Sequence, residues 1–472
     1  MTRTTLSLIA CTTALAVVAC GRAPTTTYDL VIANGRVVDP ESRLDAVRHV
    51  GVREGSIAAL SQTPITGTRV IDATAHVVAP GFIDLHEHGQ QEESYRMMVR
   101  DGVTSAFELE VGTGDVAAWY GARATGQIVN HGVSVGHIPA RMQVLGDPGT
   151  GLVPVGIGGS GTASEAQLLE MEALLRKGLA DGAVAVGLGS AYTPGAPMTE
   201  IERMFRVAAA GGASAHIHIR GGLAGLHETI AAARAAGAAL QIVHVNSVAG
   251  DAIDGFFTAI EAARAAGQDV TTEAYPYGAG MTEITSALFD DWATWPDDRF
   301  GQHQLVSTGE RLTRTTFATA RQAGGTIIIH NRSEAQTRAA IVHPLSMVAS
   351  DGFIEKGRGH PRTSGSYARV LGRYVREQKA IPLVEAVRRM TLAPAQRLEA
   401  RVPAMAQKGR VRVGADADLT IFDPATVIDR ATYEDATLPS AGIPFVIVNG
   451  EVVVDVGQVT AARPGRGIRA PH

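Results

Sequence analysis

The chain has 472 residues and a formal net charge of −5, from 47 acidic residues against 42 Lys and Arg. This slightly acidic balance argues against a nucleic-acid-binding protein, whose surface is normally basic, so no nucleic-acid partner is expected. Hydrophobic residues make up 45% of the chain and charged residues 19%, which excludes a disordered chain. The composition is typical of a globular enzyme with a large core.

Residues 1–20 predict an export signal. Arg3 precedes an apolar run over residues 6–18, which is too short to span a membrane. Residues 17–20, Val-Val-Ala-Cys, resemble a bacterial lipobox, which implies cleavage before Cys20 and a lipid on its sulfur. We therefore expect an exported protein that is lipid-anchored in the bacterial cell envelope, on the outer membrane or facing the periplasm. An ordinary signal peptide with a coincidental cysteine is the alternative.

Both ends of the chain are rich in short apolar strands. These strands, separated by turn residues, occur over residues 30–60 and again over residues 419–454. Because such separated segments can pair, the sequence predicts one small β-domain built from residues 21–80 and 394–472.

The central region, residues 81–393, alternates helices with strands. Helix-like segments end at Gly237, Gly267 and Gly324, and each is followed by an apolar strand. Eight candidate strands lie near Phe82, Thr104, Val133, Ala183, Ser214, Leu240, Val270 and Met347. Eight strands in this alternation favour a (β/α)8 barrel in the α/β class. Residues 279–341, between the last two strands, are expected to form a lid; a surface insertion without a gating role is the alternative.

Side chains that bind metals or carry protons follow several of these strands. His86 and His88 follow the first strand and, two residues apart on extended backbone, point the same way. In the second strand, Glu108 and Glu110 also share a face, and a carboxylate there is costly unless it is paired or metal-bound. A salt bridge to an arginine is the alternative for Glu110.

The fifth, sixth and eighth strands end in further groups of this kind, at His218, His244 and Asp351. In a β/α barrel the C-terminal ends of all strands meet at one mouth, so these side chains should converge. Several histidines with carboxylates at one mouth predict metal-assisted hydrolysis.

The order of these residues, with its flanking motifs, resembles the amidohydrolase superfamily and its N-acyl-D-amino-acid deacylase branch. The motifs are residues 79–84 (Ala-Pro-Gly-Phe-Ile-Asp), 218–220 (His-Ile-Arg), 241–244 (Gln-Ile-Val-His), 275–277 (Tyr-Pro-Tyr), 350–352 (Ser-Asp-Gly), 360–362 (His-Pro-Arg) and 414–419 (Gly-Ala-Asp-Ala-Asp-Leu). Residues 108–110 (Glu-Leu-Glu) with 119–120 (Trp-Tyr) look most like N-acyl-D-glutamate deacylases.

The resemblance implies a (β/α)8 barrel with a small β-sandwich domain, one or two Zn²⁺ ions and hydrolysis of a linear amide. The implied substrate is a small N-acyl amino acid; the resemblance favours the D configuration, with N-acyl-D-glutamate as one candidate. It also implies that His86, His88 and Asp351 hold one metal position and that His218 and His244 hold the other. Asp351 would in addition act as the general base and acid.

Other residue roles come from the same resemblance. Tyr192, Arg220 and Arg362 match positions that face the substrate. Glu110 is expected to supply the anionic metal ligand because of its own place near the end of the second strand, not because of the resemblance. His216 has no counterpart among the ligands, so we interpret it as a structural or supporting residue.

The sequence departs from the family pattern at three places. Many relatives bridge two metals with a carboxylated lysine at the end of the fourth strand, but residues 187–192 contain no lysine. The deacylase branch often uses a cysteine in the second strand, where this chain offers Glu110. Asn246 stands where branch members carry a lysine that holds the substrate carboxylate, which leaves Arg362 for that task.

Two other enzymes compete with a deacylase on the same barrel: a metallo-dipeptidase, which takes a dipeptide-like substrate, and a cyclic-amide hydrolase. The cyclic-amide enzymes generally use the bridging lysine that is missing here. A surface lipoprotein that binds ligands without catalysis is a remote alternative. The sequence makes no prediction of the oligomeric state.

Overall fold

A computed structural model of the protein describes residues 1–2 and 27–471. Most of the predicted export signal, with Cys20, lies outside the described residues. Within the described ranges, no helix is both long enough and apolar enough to cross a bilayer.

The strands of the described residues fall into a barrel, a composite sheet and two small sheets. In chain order they are β1 (Tyr28–Asp39), β2 (Leu44–Arg53), β3 (Ser56–Ser61), β4 (Gly67–Asp72), β5 (Val77–Pro80), β6 (Phe82–Asp84), β7 (Val103–Thr113), β8 (Asn130–Gly136), β9 (Val186–Gly189), β10 (Ala215–His218), β11 (Leu240–Ile242), β12 (Val270–Ala274), β13 (Gly280–Glu283), β14 (His303–Leu305), β15 (Thr326–Ile329), β16 (Ser346–Val348), β17 (Ile354–Glu355), β18 (Arg358–Gly359), β19 (Leu419–Phe422), β20 (Phe445–Val448), β21 (Glu451–Asp455) and β22 (Gln458–Val459).

The helices cover the barrel and the connections between strands. They are α1 (Glu92–Arg100), α2 (Val116–Gly121), α3 (His137–Leu145), α4 (Ile157–Ser160), α5 (Glu165–Ala180), α6 (Met198–Ala210), α7 (Gly222–Ala236), α8 (Val245–Val248), α9 (Ile253–Ala265), α10 (Asp297–Phe300), α11 (Arg314–Ala323), α12 (Glu334–Val342), α13 (Arg362–Arg369), α14 (Leu383–Met390) and α15 (Leu392–Glu399). Short 3₁₀ segments occupy Gly250–Ala252, Ala287–Phe289, Trp292–Thr294 and Pro403–Gln407, and a π-helical segment occupies Val370–Glu377.

The barrel contains the predicted parallel strands, in the order β6-β7-β8-β9-β10-β11-β12-β16. Neighbouring strands pair in parallel, and β6 and β16 meet just beyond their ends. There the Asp351 N–H donates to the His86 carbonyl at 2.7 Å and the His88 N–H donates to the Gly352 carbonyl at 3.0 Å. The predicted (β/α)8 fold is confirmed, and its closure brings the end of the eighth strand against the end of the first.

Strands from the two ends of the chain form one sheet, as expected. Its order is β22-β21-β20-β19-β5-β1-β2-β3, with β4 beside β1. The antiparallel pairing of β19 with β5 joins the two halves. Of the described residues in 394–472, only β19–β22 belong to this sheet. The helix α15 packs in an apolar cluster with residues of β6 and β7, and residues 465–468 pair with the barrel.

The stretch 279–341 is a folded subdomain with a core of its own. It carries the antiparallel sheet β13-β15-β14 and the helices α10 and α11. Aromatic residues fill its core, among them Phe289, Trp295 and Phe317. This self-contained core explains how so long a connection stays ordered between β12 and β16.

A buried lysine joins the β-domain to the barrel. The Lys408 side chain is 5% exposed, and its Nζ lies 2.6 Å from Asp418 Oδ2 and 2.9 Å from Asp416 Oδ2. Asp418 also accepts hydrogen bonds from the side chain of Asn130 in β8 and from the backbone of Asn449. The two aspartates raise the pKa of Lys408 although its burial lowers it, so the ammonium group stays charged.

We predict that Lys408→Ala lowers the free energy of unfolding by about 3–5 kcal/mol, because it leaves buried Asp418 without its counter-ion. Denaturant titration of the purified protein measures this change. Lys177→Ala is the matched control, since that lysine is 64% exposed and pairs only with Asp181 on the surface; its removal should leave stability nearly unchanged. Equal effects of the two substitutions would contradict the domain-joining role of Lys408.

Candidate metal centre

Four acceptor atoms meet where the first, second and eighth barrel strands end. Glu110 Oε2 lies 2.9 Å from His86 Nε2 and 3.2 Å from His88 Nε2. Asp351 Oδ1 lies 3.4 Å and 3.3 Å from the same two nitrogens, which are themselves 3.2 Å apart. The structure thus brings together His86, His88, Glu110 and Asp351 as one possible set of metal ligands.

Two further carboxylates fix which face of each imidazole points into this centre. Glu273 Oε1 lies 2.7 Å from His86 Nδ1, and Glu108 Oε2 lies 2.5 Å from His88 Nδ1. Because a carboxylate accepts hydrogen bonds, the ring protons belong on the Nδ1 atoms, and both Nε2 lone pairs face Glu110 and Asp351. Nitrogen and oxygen lone pairs this close together are stabilised only when a proton or a metal ion lies between them. The donor set therefore fits a metal ion.

A second group shares Glu110. Glu110 Oε1 lies 2.8 Å from His218 Nδ1 and 3.5 Å from His244 Nε2. In each group the candidate ligand atoms all lie within 4.8 Å of one another. Because one carboxylate oxygen faces each group, Glu110 stands where a bridging ligand between two ions would stand.

Burial and charge keep the two acids ionised. Burial raises the pKa of Glu110, but His86, His218 and His244 outweigh it and hold that pKa well below its usual value. Burial likewise raises the pKa of Asp351, but the charges of Arg362 and His86 outweigh burial and hold that pKa well below its usual value. Both side chains are thus carboxylates at neutral pH, as metal ligands must be.

Two of the site residues adopt strained backbone. His244 has φ 33° and Asp351 has φ 52°, in the left-handed region that non-glycine residues rarely occupy. His244 caps α8 directly after β11, and Asp351 lies in the contact that closes the barrel. Strain of this kind is retained where the surrounding structure holds a functional side chain in place.

Arg362 lies fully buried beside Asp351. Its Nη1 is 2.8 Å from Asp351 Oδ2, and its guanidinium stacks 4.5 Å from the Tyr275 ring. Among the described residues its N–H groups have no partner in hydrogen-bond geometry. Arg362 therefore orients Asp351 and keeps unused hydrogen-bond donors next to it.

The other predicted substrate residues border the second group. The Tyr192 ring lies 4.6 Å from the His218 ring and is 7% exposed. Arg220 donates from Nη1 to the Ala196 carbonyl at 2.8 Å, so part of its guanidinium is engaged by backbone. Asn246 is held by the backbone of Tyr275 at 3.1 Å and 3.3 Å.

His216 lies outside both groups. It is fully buried, and its Nε2 is 3.0 Å from Ser214 Oγ, one layer below the candidate ligands. Burial lowers the pKa of His216 well below its usual value, so its ring is neutral. This placement agrees with the structural role expected for it.

Glu273, and the side chains of Gln241 and Thr271 that hold it in place, were not predicted from the sequence as part of the site. Glu273 Oε2 accepts from Gln241 Nε2 at 2.7 Å, and Gln241 in turn contacts Thr271 Oγ1. The signal was present, since Glu273 is the one charged residue of the strand β12. Its partner His86, however, is 187 positions away in the chain.

Comparison with known proteins matches this arrangement. The sequence profile of the amidohydrolase family matches residues 139–454. N-acyl-D-glutamate deacylase of Alcaligenes xylosoxydans xylosoxydans is 34% identical over 93% of this chain and 96% of its own length. The chain belongs to the amidohydrolase family. D-aminoacylase of the same organism is a further similar member, 29% identical over 93% of this chain and 97% of its own.

Solved structures place this amidohydrolase beside zinc enzymes. The N-acyl-D-glutamate deacylase of Bordetella bronchiseptica, crystallised with zinc and a phosphonate mimic of the tetrahedral intermediate, superposes with a TM-score of 0.82. The two chains are 29% identical, and the match covers 94% of this chain and 100% of the Bordetella enzyme. A D-aminoacylase described by its binuclear metal centre superposes with a TM-score of 0.78 at 26% identity, over 94% of this chain and 100% of that one.

We predict that Glu273→Gln weakens zinc binding at the His86 group about 10–100-fold, because the neutral amide no longer polarises the His86 ring. Competition with a chromophoric chelator measures the dissociation constants. The affinity of the His218 group for zinc should not change. Glu261→Gln, at an exposed position, is the control and should bind zinc at both groups as tightly as wild type. Unchanged affinity in Glu273→Gln would show that this carboxylate is only a core residue.

Proposed function

We propose that this amidohydrolase cleaves the amide bond of N-acyl-D-amino acids at a zinc centre. The observation that carries the proposal is the convergence of two histidine groups on the shared carboxylate Glu110. The deacylases named above support this substrate class, since one of them is 34% identical across nearly the whole chain. N-acyl-D-glutamate is the substrate we propose to test first.

Zinc fits the residues present. Imidazole nitrogens and carboxylate oxygens are ligands that Zn²⁺ accepts, and residues 27–471 contain no cysteine to compete with them. We propose that His86, His88 and Asp351 hold one ion, that His218 and His244 hold the other, and that Glu110 contacts both. When bound, zinc polarises the amide carbonyl and lowers the pKa of water at the site.

Asp351 is the residue that moves the proton. Its Oδ1 faces the two histidines while its Oδ2 is held by Arg362, so it stands at the barrel mouth as an oriented carboxylate. An oriented carboxylate accepts the proton of the attacking water and returns it to the amine nitrogen as the amide bond breaks. In this proposal the same group acts first as base and then as acid.

Arg362 binds the substrate carboxylate with the N–H groups that Asp351 leaves unused. A planar guanidinium can hold a carboxylate through two parallel hydrogen bonds, which would set the acyl group over the metal ligands. Tyr192 and Arg220 line the same side and complete the substrate site. Since Asn246 is engaged by the Tyr275 backbone, Arg362 takes over the task that a lysine has in relatives.

The 279–341 subdomain acts as the lid of this site. Its strand β13 reaches residues at the mouth, where Glu283 accepts the Leu152 N–H at 2.8 Å. The candidate ligands are almost entirely covered, with Asp351 6% and His218 9% exposed. A covered site excludes water from the reaction, so a substrate would enter by displacement of this subdomain.

Purified, zinc-loaded protein tests the proposal against a panel of N-acyl-D- and N-acyl-L-amino acids, dipeptides and a cyclic amide. We expect amine release from the N-acyl-D substrates. Turnover of the dipeptides or the cyclic amide alone would overturn the deacylase assignment in favour of those activities.

We predict that Asp351→Asn loses about 10²–10⁴-fold in kcat on the best substrate, because the amide cannot take up the proton. The zinc held by Glu110, His218 and His244 should remain, as metal analysis would show. Asp254→Asn is the matched control, since this exposed aspartate lies in α9 and forms no ion pair within residues 27–471. An Asp351→Asn enzyme with near wild-type kcat would refute the proton-transfer role.

We also propose that the mature protein is anchored in the cell envelope by a lipid on Cys20. The support is the sequence of residues 17–20, which lie outside the described residues. In cells labelled with a radioactive fatty acid, wild type should incorporate label and Cys20→Ser should not. Release of both proteins in soluble, cleaved and unlabelled form would contradict the anchor.

A further inference from the structure

A cavity of about 450 Å³ lies at the end of the barrel opposite to the metal centre. It is lined by His131 at the start of β8, whereas the candidate metal ligands lie toward the C-terminal ends of the strands. Its other walls come from the C-terminal segment 463–469 and from Asn449 and Glu451 of the β-domain. The cavity is therefore separate from the hydrolytic site.

The walls of this cavity are strongly basic. Arg123, Arg463, Arg466 and Arg469 line it, and Glu451 is the one acidic residue among its lining residues. This is an excess of positive charge in a chain whose net charge is −5. Arg463 pairs with Glu92 at 2.6 Å, outside the lining.

Two of these arginines are available to a ligand. Arg466 and Arg469 are exposed, and neither forms an ion pair with any acid in residues 27–471. Arg469 stacks on the Tyr120 ring, with its guanidinium carbon 4.1 Å from the ring centre. Both side chains thus present a charged fork to the cavity without an acidic partner among the described residues.

The backbone that carries them is fixed. The Gly465 N–H donates to the Gln127 carbonyl at 2.9 Å, and the Ile468 N–H donates to the His131 carbonyl at 2.7 Å. The approach is so close that a Cβ on Gly465 would lie 2.1 Å from the Val129 carbonyl oxygen. A segment held this way loses little further backbone freedom when an anion binds.

We propose that this cavity binds a phosphate group. The planar forks of Arg466 and Arg469 suit phosphate, whose several oxygens accept from more than one guanidinium at once. A free phosphate compound and the headgroup of an anionic phospholipid both carry this chemistry. The start of β1 lies on the same side, since a Cβ on Gly55 would lie 3.0 Å from the Asn449 carbonyl oxygen and the neighbouring Glu54 N–H donates to Asp29 Oδ2 at 2.8 Å.

Calorimetric titration of the full-length protein at low salt tests the site with two probes, inorganic pyrophosphate and soluble dihexanoyl phosphatidylglycerol. We expect the double variant R466Q/R469Q to bind at least about tenfold more weakly than wild type, because two charge-assisted contacts are lost. R430Q is the matched control, since Arg430 is exposed and does not line the cavity. Both variants should keep the wild-type melting temperature and amide hydrolysis.

The two probes separate the sources of the phosphate group. Arginine-dependent binding of pyrophosphate alone assigns the cavity to free phosphate compounds, and arginine-dependent binding of the lipid assigns it to a headgroup. Equal affinities of wild type and R466Q/R469Q, an equal loss in R430Q, or no binding of either probe would overturn the proposal.

Discussion

The site depends on one buried carboxylate with a different partner on each oxygen. Glu110 is 2% exposed, and its Oε2 faces His86 and His88 while its Oε1 faces His218 and His244. A buried carboxylate is tolerated only when it is paired or metal-bound, and here every close partner is a histidine. Its position in β7 therefore determines where the other barrel strands must place their histidine side chains.

The barrel meets this requirement through its closure. The pairing of the chain beyond β6 with the chain beyond β16 places Asp351 against His86, although the two are far apart in sequence. The β-domain supports the opposite end of the barrel through Lys408, whose partner Asp418 accepts a hydrogen bond from Asn130 at the start of β8. Fold and site are thus coupled, because the contacts that close the barrel also align the acid with the histidines.

Much of the fold and of the metal centre could be predicted from the sequence, because strand ends and their polar residues are local signals. Glycines after helices and apolar runs located the eight barrel strands, and alternation along β7 placed Glu110 on the ligand side. Pairings between distant residues were not predictable in this way. The contact of Glu273 with His86 and the approach of Asp351 to His86 depend on how the barrel closes. The aromatic core of residues 279–341 was also not predicted, since its residues are scattered along that stretch.

Metal content tests the shared carboxylate most directly. Zinc bound per chain would be measured after dialysis for wild type, Glu110→Ala and His244→Ala, each checked for an intact fold by circular dichroism. We predict that Glu110→Ala loses tight zinc from both groups, whereas His244→Ala loses it from the His218 group alone. Full zinc in Glu110→Ala, with full amide hydrolysis, would contradict the shared-ligand role and show that Glu110 is only a buried core acid.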